Sequence, residues 1–321
     1  MQKEQVLHEN ILKYFATLLK KERLAHAYLF IGRDGLGKFE TAIDLAKMIN
    51  CENKLIGGFF CDECPSCIKI NKNSHPDVHA LEKEEGENIK IEKVRELIGQ
   101  IQLRPFISTR KIFIIKNAEQ LSLEGANALL KTLEEPSAHS LLILTTSSPE
   151  RNLGTIRSRC QAVLFSPSSY QGLEGFLLSE GESKDKARFF AHFSQGAMGR
   201  AKELQGQDFY ARKNEFIDGF ILNIATDAFM KELLAEKDDV RSFLDVLFSW
   251  IRDCILLKSG VRDERLIHLD RLRDLERFQE KFSFAELSMV SDEILKTYKL
   301  LAENLNLKVP LLMIKEMIWA K

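Results

Sequence analysis

The chain has 321 residues, of which 45% are hydrophobic and 29% charged, a composition typical of globular proteins with two or three domains. Its formal net charge of −1 argues against a basic surface field that would drive non-specific nucleic-acid binding. No apolar run approaches the roughly 18 residues of a membrane span, and the N-terminus lacks an export signal, so we expect a cytoplasmic protein without membrane contact.

After an amphipathic first helix, a glycine-rich segment has the spacing of a phosphate-binding loop. Residues 27–31 form a short apolar run that predicts a buried strand, and a helix is predicted to start near Lys38. A strand followed by G-x-x-x-x-G-K and a helix is the context in which backbone N–H groups and a lysine cradle phosphates. The predicted nucleotide-binding residues are Gly32, Gly35, Gly37 and Lys38.

Two departures from this pattern affect the same metal ion. Phe39 occupies the position where a serine or threonine hydroxyl would hold Mg²⁺. A second apolar strand, predicted at residues 111–115, is followed by Lys116 and Asn117 where an ATPase carries acidic residues. Thr41 is rotated by about 200° from the hydroxyl position on the helix, so it does not replace it. The loop is therefore degenerate: the Mg²⁺ site is expected to be lost, and ATP binding is left open.

Four cysteines follow the helix of this loop. The last three have the spacing C-x₂-C-x₂-C, and together the four can supply thiolates to one tetrahedral Zn²⁺. Because such a site has no open coordination position, the zinc would be structural, and an iron–sulfur cluster is the alternative. The predicted ligands are Cys51, Cys61, Cys64 and Cys67, in a module at about residues 51–67.

The rest of the chain divides into an alternating part and a helical part. Helices predicted at residues 91–103 and 122–133 alternate with apolar strands at 141–146 and 162–165, which predicts a parallel sheet covered by helices. Residues 166–169 are typical of a hinge, and residues 205–208 of a linker. Beyond residue 170 the apolar spacing is helical throughout.

These features together resemble the clamp-loader branch of the AAA+ family. The resemblance rests on residues 24–30, the four-cysteine module, and residues 127–136, 155–160 and 194–201. It implies an α/β fold with an AAA+ P-loop parallel sheet domain (1–166) that contains the zinc module. It also implies a small helical lid domain (167–205) and an all-α collar domain (206–321).

The resemblance also implies that this chain and the neighbouring subunits have different roles. Arg159, in Ser158-Arg159-Cys160, would be an arginine finger that reaches the ATP of a neighbouring subunit. The partners implied are the ATPase subunits and a delta-type subunit in a hetero-oligomeric ring, which loads a sliding clamp onto primer–template DNA. Gly199 stands in the family's sensor-2 arginine position, with Arg200 one place later.

Other interpretations follow from the same residues. Arg159 could be an ordinary salt-bridged surface arginine. The chain could be an active ATPase subunit of the same family that tolerates Phe39 and Lys116, or a zinc-containing nucleic-acid-binding protein with the P-loop fold as a scaffold.

Overall fold

A computed structural model describes residues 8–53, 59–83, 88–151, 154–222, 227–262, 265–303 and 305–319. The chain forms two compact units. The sheet unit comprises Met1–Pro167 with Ala197–Arg200, and the helical unit comprises Ser168–Gly196 with Ala201–Lys321. The finer division into three domains at residues 166 and 205 stays a prediction.

The sheet unit contains a five-stranded parallel sheet. Its strands are β1 (Ala27–Ile31), β2 (Val78–Leu81), β3 (Lys111–Ile115), β4 (Ser140–Thr146) and β5 (Gln161–Leu164), in the order β2-β3-β4-β1-β5. The central strands are buried on both faces, which explains why their sequences are continuous apolar runs. The predicted parallel α/β sheet is confirmed.

Helices cover both faces of this sheet. They are α1 (Glu9–Lys20), α2 (Lys38–Asn50), α3 (Pro65–Asn71), α4 (Ile91–Ile101), α5 (Leu123–Glu134) and α6 (Gly154–Arg157). Alternate residues of β3 enter different cores: Ile112 packs in a cluster with Phe15 of α1, whereas Phe113 packs in a cluster with Leu129 of α5. The glycine loop lies between β1 and α2, at the carboxyl end of a central strand.

Beyond β5, the described residues contain helices and no strand. The helices are α7 (Tyr170–Ser179), α8 (Lys184–Phe193), α9 (Met198–Gly206), α10 (Phe209–Phe216), α11 (Asp227–Leu233), α12 (Lys237–Lys258), α13 (Leu272–Glu280), α14 (Phe284–Ala302) and α15 (Lys308–Trp319). Helix α9 begins in the sheet unit and runs through Gly206, so the predicted linker starts later than expected. None of the described helices is long and apolar enough to cross a membrane.

Candidate functional site

The glycine loop connects the end of β1 to the start of α2, as the phosphate-loop pattern predicts. The Gly32 N–H donates to the Thr146 carbonyl at 3.1 Å, which extends the β1–β4 pairing by one residue. Gly35 (φ +74°) and Gly37 (φ +80°) adopt the left-handed conformation, which glycine reaches without steric cost. Gly37 is the residue from which α2 starts. The sequence thus correctly located the loop and the start of its helix.

Lys38 is bound to the loop itself. Its side chain is 5% exposed, and its Nζ donates to the Gly32 carbonyl at 2.5 Å and to the Arg33 carbonyl at 2.8 Å. The Asp34 carboxylate is 3.9 Å away. Burial lowers the pKa of Lys38, although Asp34 opposes this. The ammonium that would contact a phosphate is therefore satisfied by loop carbonyls and balanced by a loop carboxylate.

Phe39 and Lys116, the two residues that the phosphate-loop pattern predicts to stand at metal-ligand positions, contact each other. The Lys116 Nζ lies 4.9 Å from the centroid of the Phe39 ring, within the range of a cation–π interaction. The same ammonium forms an ion pair with Glu82 at 2.7 Å. A lysine and an aromatic ring thus meet between α2 and the end of β3, where a magnesium-dependent ATPase requires a hydroxyl and a carboxylate.

Two nearby oxygen-bearing residues are engaged elsewhere. The Thr41 hydroxyl donates to the Gly37 carbonyl at 2.7 Å. The Glu119 carboxylate accepts from the backbone N–H of Ser147 at 3.1 Å and from its hydroxyl at 2.8 Å. Burial would raise the pKa of Glu119, but hydrogen bonds from its own backbone N–H and from Ser147 and Thr146 outweigh it and the pKa is lowered. The Thr41 hydroxyl and Glu119 Oε1 therefore already have partners within the protein, whereas Glu119 Oε2 is buried without a hydrogen-bond partner among the described residues.

The first turn of α9 lies directly against the loop. The Arg200 N–H donates to the Gly35 carbonyl at 2.9 Å. A Cβ atom on Gly199 would lie 2.8 Å from the Gly35 carbonyl oxygen and 3.0 Å from the Gly37 nitrogen, so only glycine fits there. The sequence marked Gly199 as a departure from the arginine pattern. The structure adds that this glycine allows backbone-to-backbone contact with the loop.

Arg159 lies at the opposite end of the sheet from this loop. It precedes β5, whose Gln161 pairs with Tyr28, whereas Phe165, just after β5, contacts Gly32. The four steps from Gln161 to Phe165 span about 13 Å of strand. Arg159 is therefore about one strand length away from the glycine loop of its own chain.

The Arg159 side chain has three partners. Its NH2 donates to the Glu134 carboxylate at 2.6 Å, and its NH1 donates to the Thr155 carbonyl at 3.0 Å and to the Ser158 hydroxyl at 3.3 Å. The Arg159 side chain is 34% exposed and that of Glu134 is 51% exposed. Cys160 is half-buried against the core shared by α4 and α5, and burial raises the pKa of its thiol to about 12. The packing of Cys160 against this core thus fixes the backbone next to Arg159, whose side chain remains accessible.

The four cysteines that the sequence selected come together. Their sulfur atoms all lie within 4.8 Å of one another, and the Cys51 and Cys61 sulfurs are 3.6 Å apart. Tetrahedral Zn–S bonds of about 2.3 Å place sulfurs about 3.8 Å apart, so the cluster fits one such ion. The N–H groups of Cys64 and Cys67 point at the Cys61 and Cys64 sulfurs, at 3.2 and 3.4 Å. These donors stabilise thiolates. Residues 54–58 of the predicted module lie outside the described residues.

One buried lysine ties the cysteine module to α2. Lys47 forms ion pairs of 2.9 Å with Asp44 of α2 and with Asp62, between two of the cysteines. Its Nζ also lies 4.0 Å from the centroid of the Phe60 ring. The module is therefore attached to the helix that starts at the glycine loop.

A second connection runs from the module to the start of β3 and was not predicted. The Ser66 hydroxyl is 3.2 Å from His75 Nε2, and His75 Nδ1 accepts the Asp77 N–H at 3.1 Å. The Asp77 carboxylate then accepts the backbone N–H groups of residues 106, 107 and 108, at 2.7–2.9 Å. The spacing of these residues did not predict the connection, because the N–H groups that Asp77 binds lie 29 to 31 positions away along the chain.

Family models match two long segments of the chain. Residues 7–169 match the model described as "DNA polymerase III, delta subunit". Residues 207–319 match "DNA polymerase III, delta subunit, C terminal". Together they cover most of both units.

Individual relatives agree with these models. DNA polymerase III subunit delta' of Bacillus subtilis is 30% identical over 94% of this chain and 93% of its own length. Subunit delta' of Pseudomonas aeruginosa is also 30% identical, over 90% of this chain and 89% of its own. DNA polymerase III subunit tau of B. subtilis is 36% identical over 52% of this chain and 29% of its own. The chain belongs to the delta-prime subunit family of the DNA polymerase III clamp loader.

Proposed function

We propose that this chain is a non-hydrolysing clamp-loader subunit that assembles with ATPase subunits and supplies Arg159 to a neighbour. The observation that carries the first part is the contact between Phe39 and Lys116. Phe39 lies on α2 and Lys116 directly follows β3, and each stands where a Mg²⁺ ligand is expected. The two side chains form a cation–π contact with each other. Lys38, occupied by loop carbonyls, supports the same proposal.

Turnover and nucleotide binding by the isolated chain test this part. We expect no Mg²⁺-dependent ATP hydrolysis, and no rise in the unfolding temperature with millimolar MgATP, because a bound ligand would stabilise the fold by mass action. Clear hydrolysis would instead support the active-ATPase alternative. Stabilisation without hydrolysis would show that the degenerate loop still binds nucleotide.

The second part concerns Arg159 as an arginine finger in trans. Three observations support it. The Arg159 side chain is accessible, the glycine loop of the same chain lies at the other end of β5, and the ion pair with Glu134 is exposed. An exposed ion pair contributes only about 0–1 kcal/mol, so it does not hold Arg159 away from a phosphate. A guanidinium supplied in trans stabilises the charge of phosphoryl transfer.

Reconstitution with the cognate ATPase subunits, clamp and primed DNA tests the finger. We expect Arg159→Ala to lower DNA-stimulated ATP turnover by about 10³-fold in the site it serves. Arg157→Ala is the matched control, because it removes an exposed arginine two residues away. Equal turnover by the wild type and Arg159→Ala would reject the finger and leave Arg159 as a surface ion-pair residue.

The cysteine cluster is proposed to hold one structural Zn²⁺ through Cys51, Cys61, Cys64 and Cys67. All four ligand positions are filled by thiolates, so the site has no open position for catalysis. Metal analysis should find about one zinc per chain, and Cys64→Ser should lower this content, whereas Cys254→Ser, in the core of the helical unit, should not. Stoichiometric iron with visible absorption would favour the iron–sulfur alternative.

The helical unit is proposed to carry the lid and the ring-forming collar. The supporting observation is a set of exposed apolar side chains on its last two helices. They are Phe284, Met289, Leu295, Val309, Leu312 and Met313. In this proposal the ring contains the ATPase subunits and a delta-type subunit, and this chain acts on the sliding clamp and primer–template DNA through the complex.

A collar variant tests this assignment. Val309→Asp with Met313→Asp should prevent co-purification with the partner subunits while preserving the fold, because both side chains are exposed. Retention of the complex would reject this surface. Salt-sensitive DNA binding by the isolated chain would revive the nucleic-acid-binding alternative.

A further inference from the structure

We propose that Glu134 is a positioning residue for the Arg159 guanidinium, an inference that rests on the finger proposed above. Glu134 is the last residue of α5, and its Oε1 lies 2.6 Å from the Arg159 NH2. The two residues are 25 positions apart in the sequence, so their contact arises only from the fold. Glu134 would act through Arg159, without touching nucleotide itself.

The remaining contacts of Arg159 define the orientation of its plane. NH1 donates to the Thr155 carbonyl and to the Ser158 hydroxyl, and this hydroxyl in turn donates to the same carbonyl at 3.0 Å. The guanidinium is thereby held from two sides, by a carboxylate at NH2 and by α6 at NH1. A planar group held at two nitrogens has few orientations left.

The arrangement still leaves donors for a phosphate. A guanidinium has five N–H groups, and three contacts engage it in the described part of the chain. The two N–H groups that remain can be offered to an oxygen of a neighbouring subunit's ATP. An arginine that is already oriented loses less conformational freedom when it meets the transition state.

Three variants test this role in the reconstituted clamp loader. We expect Glu134→Ala to lower kcat for DNA-stimulated ATP hydrolysis by about 2- to 5-fold with little change in KM, since an exposed ion pair can bias the orientation of Arg159 by no more than about 1 kcal/mol and misplacement of a catalytic group acts on the chemical step. Ser158→Ala should lower kcat less, because the Thr155 carbonyl remains. Glu135→Ala is the matched control: its exposed side chain makes no hydrogen bond or ion pair with any described residue.

A second measurement separates positioning from assembly. ADP with aluminium fluoride mimics the transferring phosphoryl group, and an oriented arginine should slow its release from the complex. We expect faster release from Glu134→Ala than from wild type and Glu135→Ala, with equal recovery of the complex by size exclusion.

The outcomes distinguish the two proposals. If Arg159→Ala retains full turnover, the finger itself is wrong. If Arg159→Ala loses turnover while Glu134→Ala matches or exceeds the wild type, Glu134 does not position it. A rise in KM alone would give Glu134 a role in ATP binding, and poor recovery of the complex would give it a role in assembly; either result would overturn the inference.

Discussion

The side chain of Asp77 fixes the backbone conformation of the exposed segment at residues 106–108. It is fully buried, yet its carboxylate accepts three consecutive backbone N–H groups from residues 106–108. Phe106, whose N–H is one of the three, is 82% exposed. The carboxylate therefore fixes the backbone beneath an apolar side chain that faces solvent.

We predict that Asp77 makes stability dependent on pH in the acid range. Burial opposes ionisation, but the three N–H donors outweigh it and lower the pKa of Asp77. A lowered folded-state pKa contributes stability above the unfolded value of about 4, and this is lost as pH falls through the folded value. Asp77→Asn should cost about 1–3 kcal/mol in urea denaturation at pH 7.

The same variant should flatten the fall in stability below about pH 4, because the titrating group is gone. Glu96→Gln, which removes an exposed carboxylate from α4, is the control and should leave the free energy of unfolding within about 0.5 kcal/mol. An unchanged pH profile for Asp77→Asn would show that other carboxylates cause the acid sensitivity.

At the scale of single residues, the sequence pattern showed which residues depart from a phosphate loop but not which residues contact one another. The glycine positions, Phe39 and Lys116 could each be selected, because the phosphate-loop pattern fixes what should stand there. The contact between Phe39 and Lys116 could not, since it joins α2 to the end of β3. The Arg159–Glu134 ion pair was missed for the same reason: the exposed-arginine interpretation named no partner.

At the scale of elements, α9 depends on the absence of a side chain in its first turn. Gly199→Ala places a methyl group against the backbone of the glycine loop, where nothing flexible can move aside. We predict a loss of about 1–3 kcal/mol in the free energy of unfolding, the usual cost of overpacking a close contact.

Gly206 supplies a matched control within the same helix. A Cβ atom there would have no neighbour within 4 Å, so Gly206→Ala should be neutral or should stabilise by up to about 1 kcal/mol through helix propensity. Equal effects at the two glycines would mean that the loop tolerates displacement of α9.

The cysteine module is a second element that is connected by hydrogen bonds to a distant part of the chain, residues 106–108. Ser66 lies on α3 between two of the cysteines and hydrogen-bonds to His75, which accepts the Asp77 N–H. We predict that metal removal by a chelator increases hydrogen exchange of the amides of residues 106–108, because this chain of contacts loses its anchor.

His75→Ala should increase exchange at residues 106–108 with the cysteine cluster intact, which separates the connection from the metal. Exchange in α5, on the other face of the sheet, is the internal reference and should stay the same. If chelation leaves residues 106–108 protected, the module stabilises only its own surroundings.

Patterns of apolar residues predicted most elements of the sheet unit. The strands at residues 27–31 and 111–115 agree with β1 and β3, because central parallel strands are continuous apolar runs. A linker was expected at residues 205–208, since Gly206 and its polar neighbours are typical of one, but α9 continues through Gly206.

On the scale of the whole molecule, the helical unit has its own buried charge. Lys213 is fully buried, and its Nζ pairs with Asp270 at 2.5 Å and lies 4.1 Å from the centroid of the Tyr210 ring. Helical periodicity predicted this unit to be all-α but could not reveal the ion pair, because a lysine in a helical pattern is ordinarily exposed.

We predict that Lys213→Ala destabilises the helical unit by about 3–5 kcal/mol, since it leaves a carboxylate largely buried without its cation. Calorimetry should show the loss in one transition, while the transition sensitive to chelators, in the sheet unit, moves little. Lys184→Ala, at an exposed position at the start of α8, is the control. A single transition lowered equally by both treatments would show that the two units unfold together.

The contact between Phe39 and Lys116 has a consequence for evolution. Reverting Phe39 to a hydroxyl residue would remove the ring beneath an ammonium, and reverting Lys116 to an acid would place a carboxylate beside Glu82 and an aromatic face. Each single change thus breaks a favourable contact without supplying the hydroxyl and the acidic residues that a Mg²⁺ site requires together. If the chain is the non-hydrolysing subunit proposed above, hydrolysis could evolve only through several substitutions, each of which alone breaks a contact of the present structure.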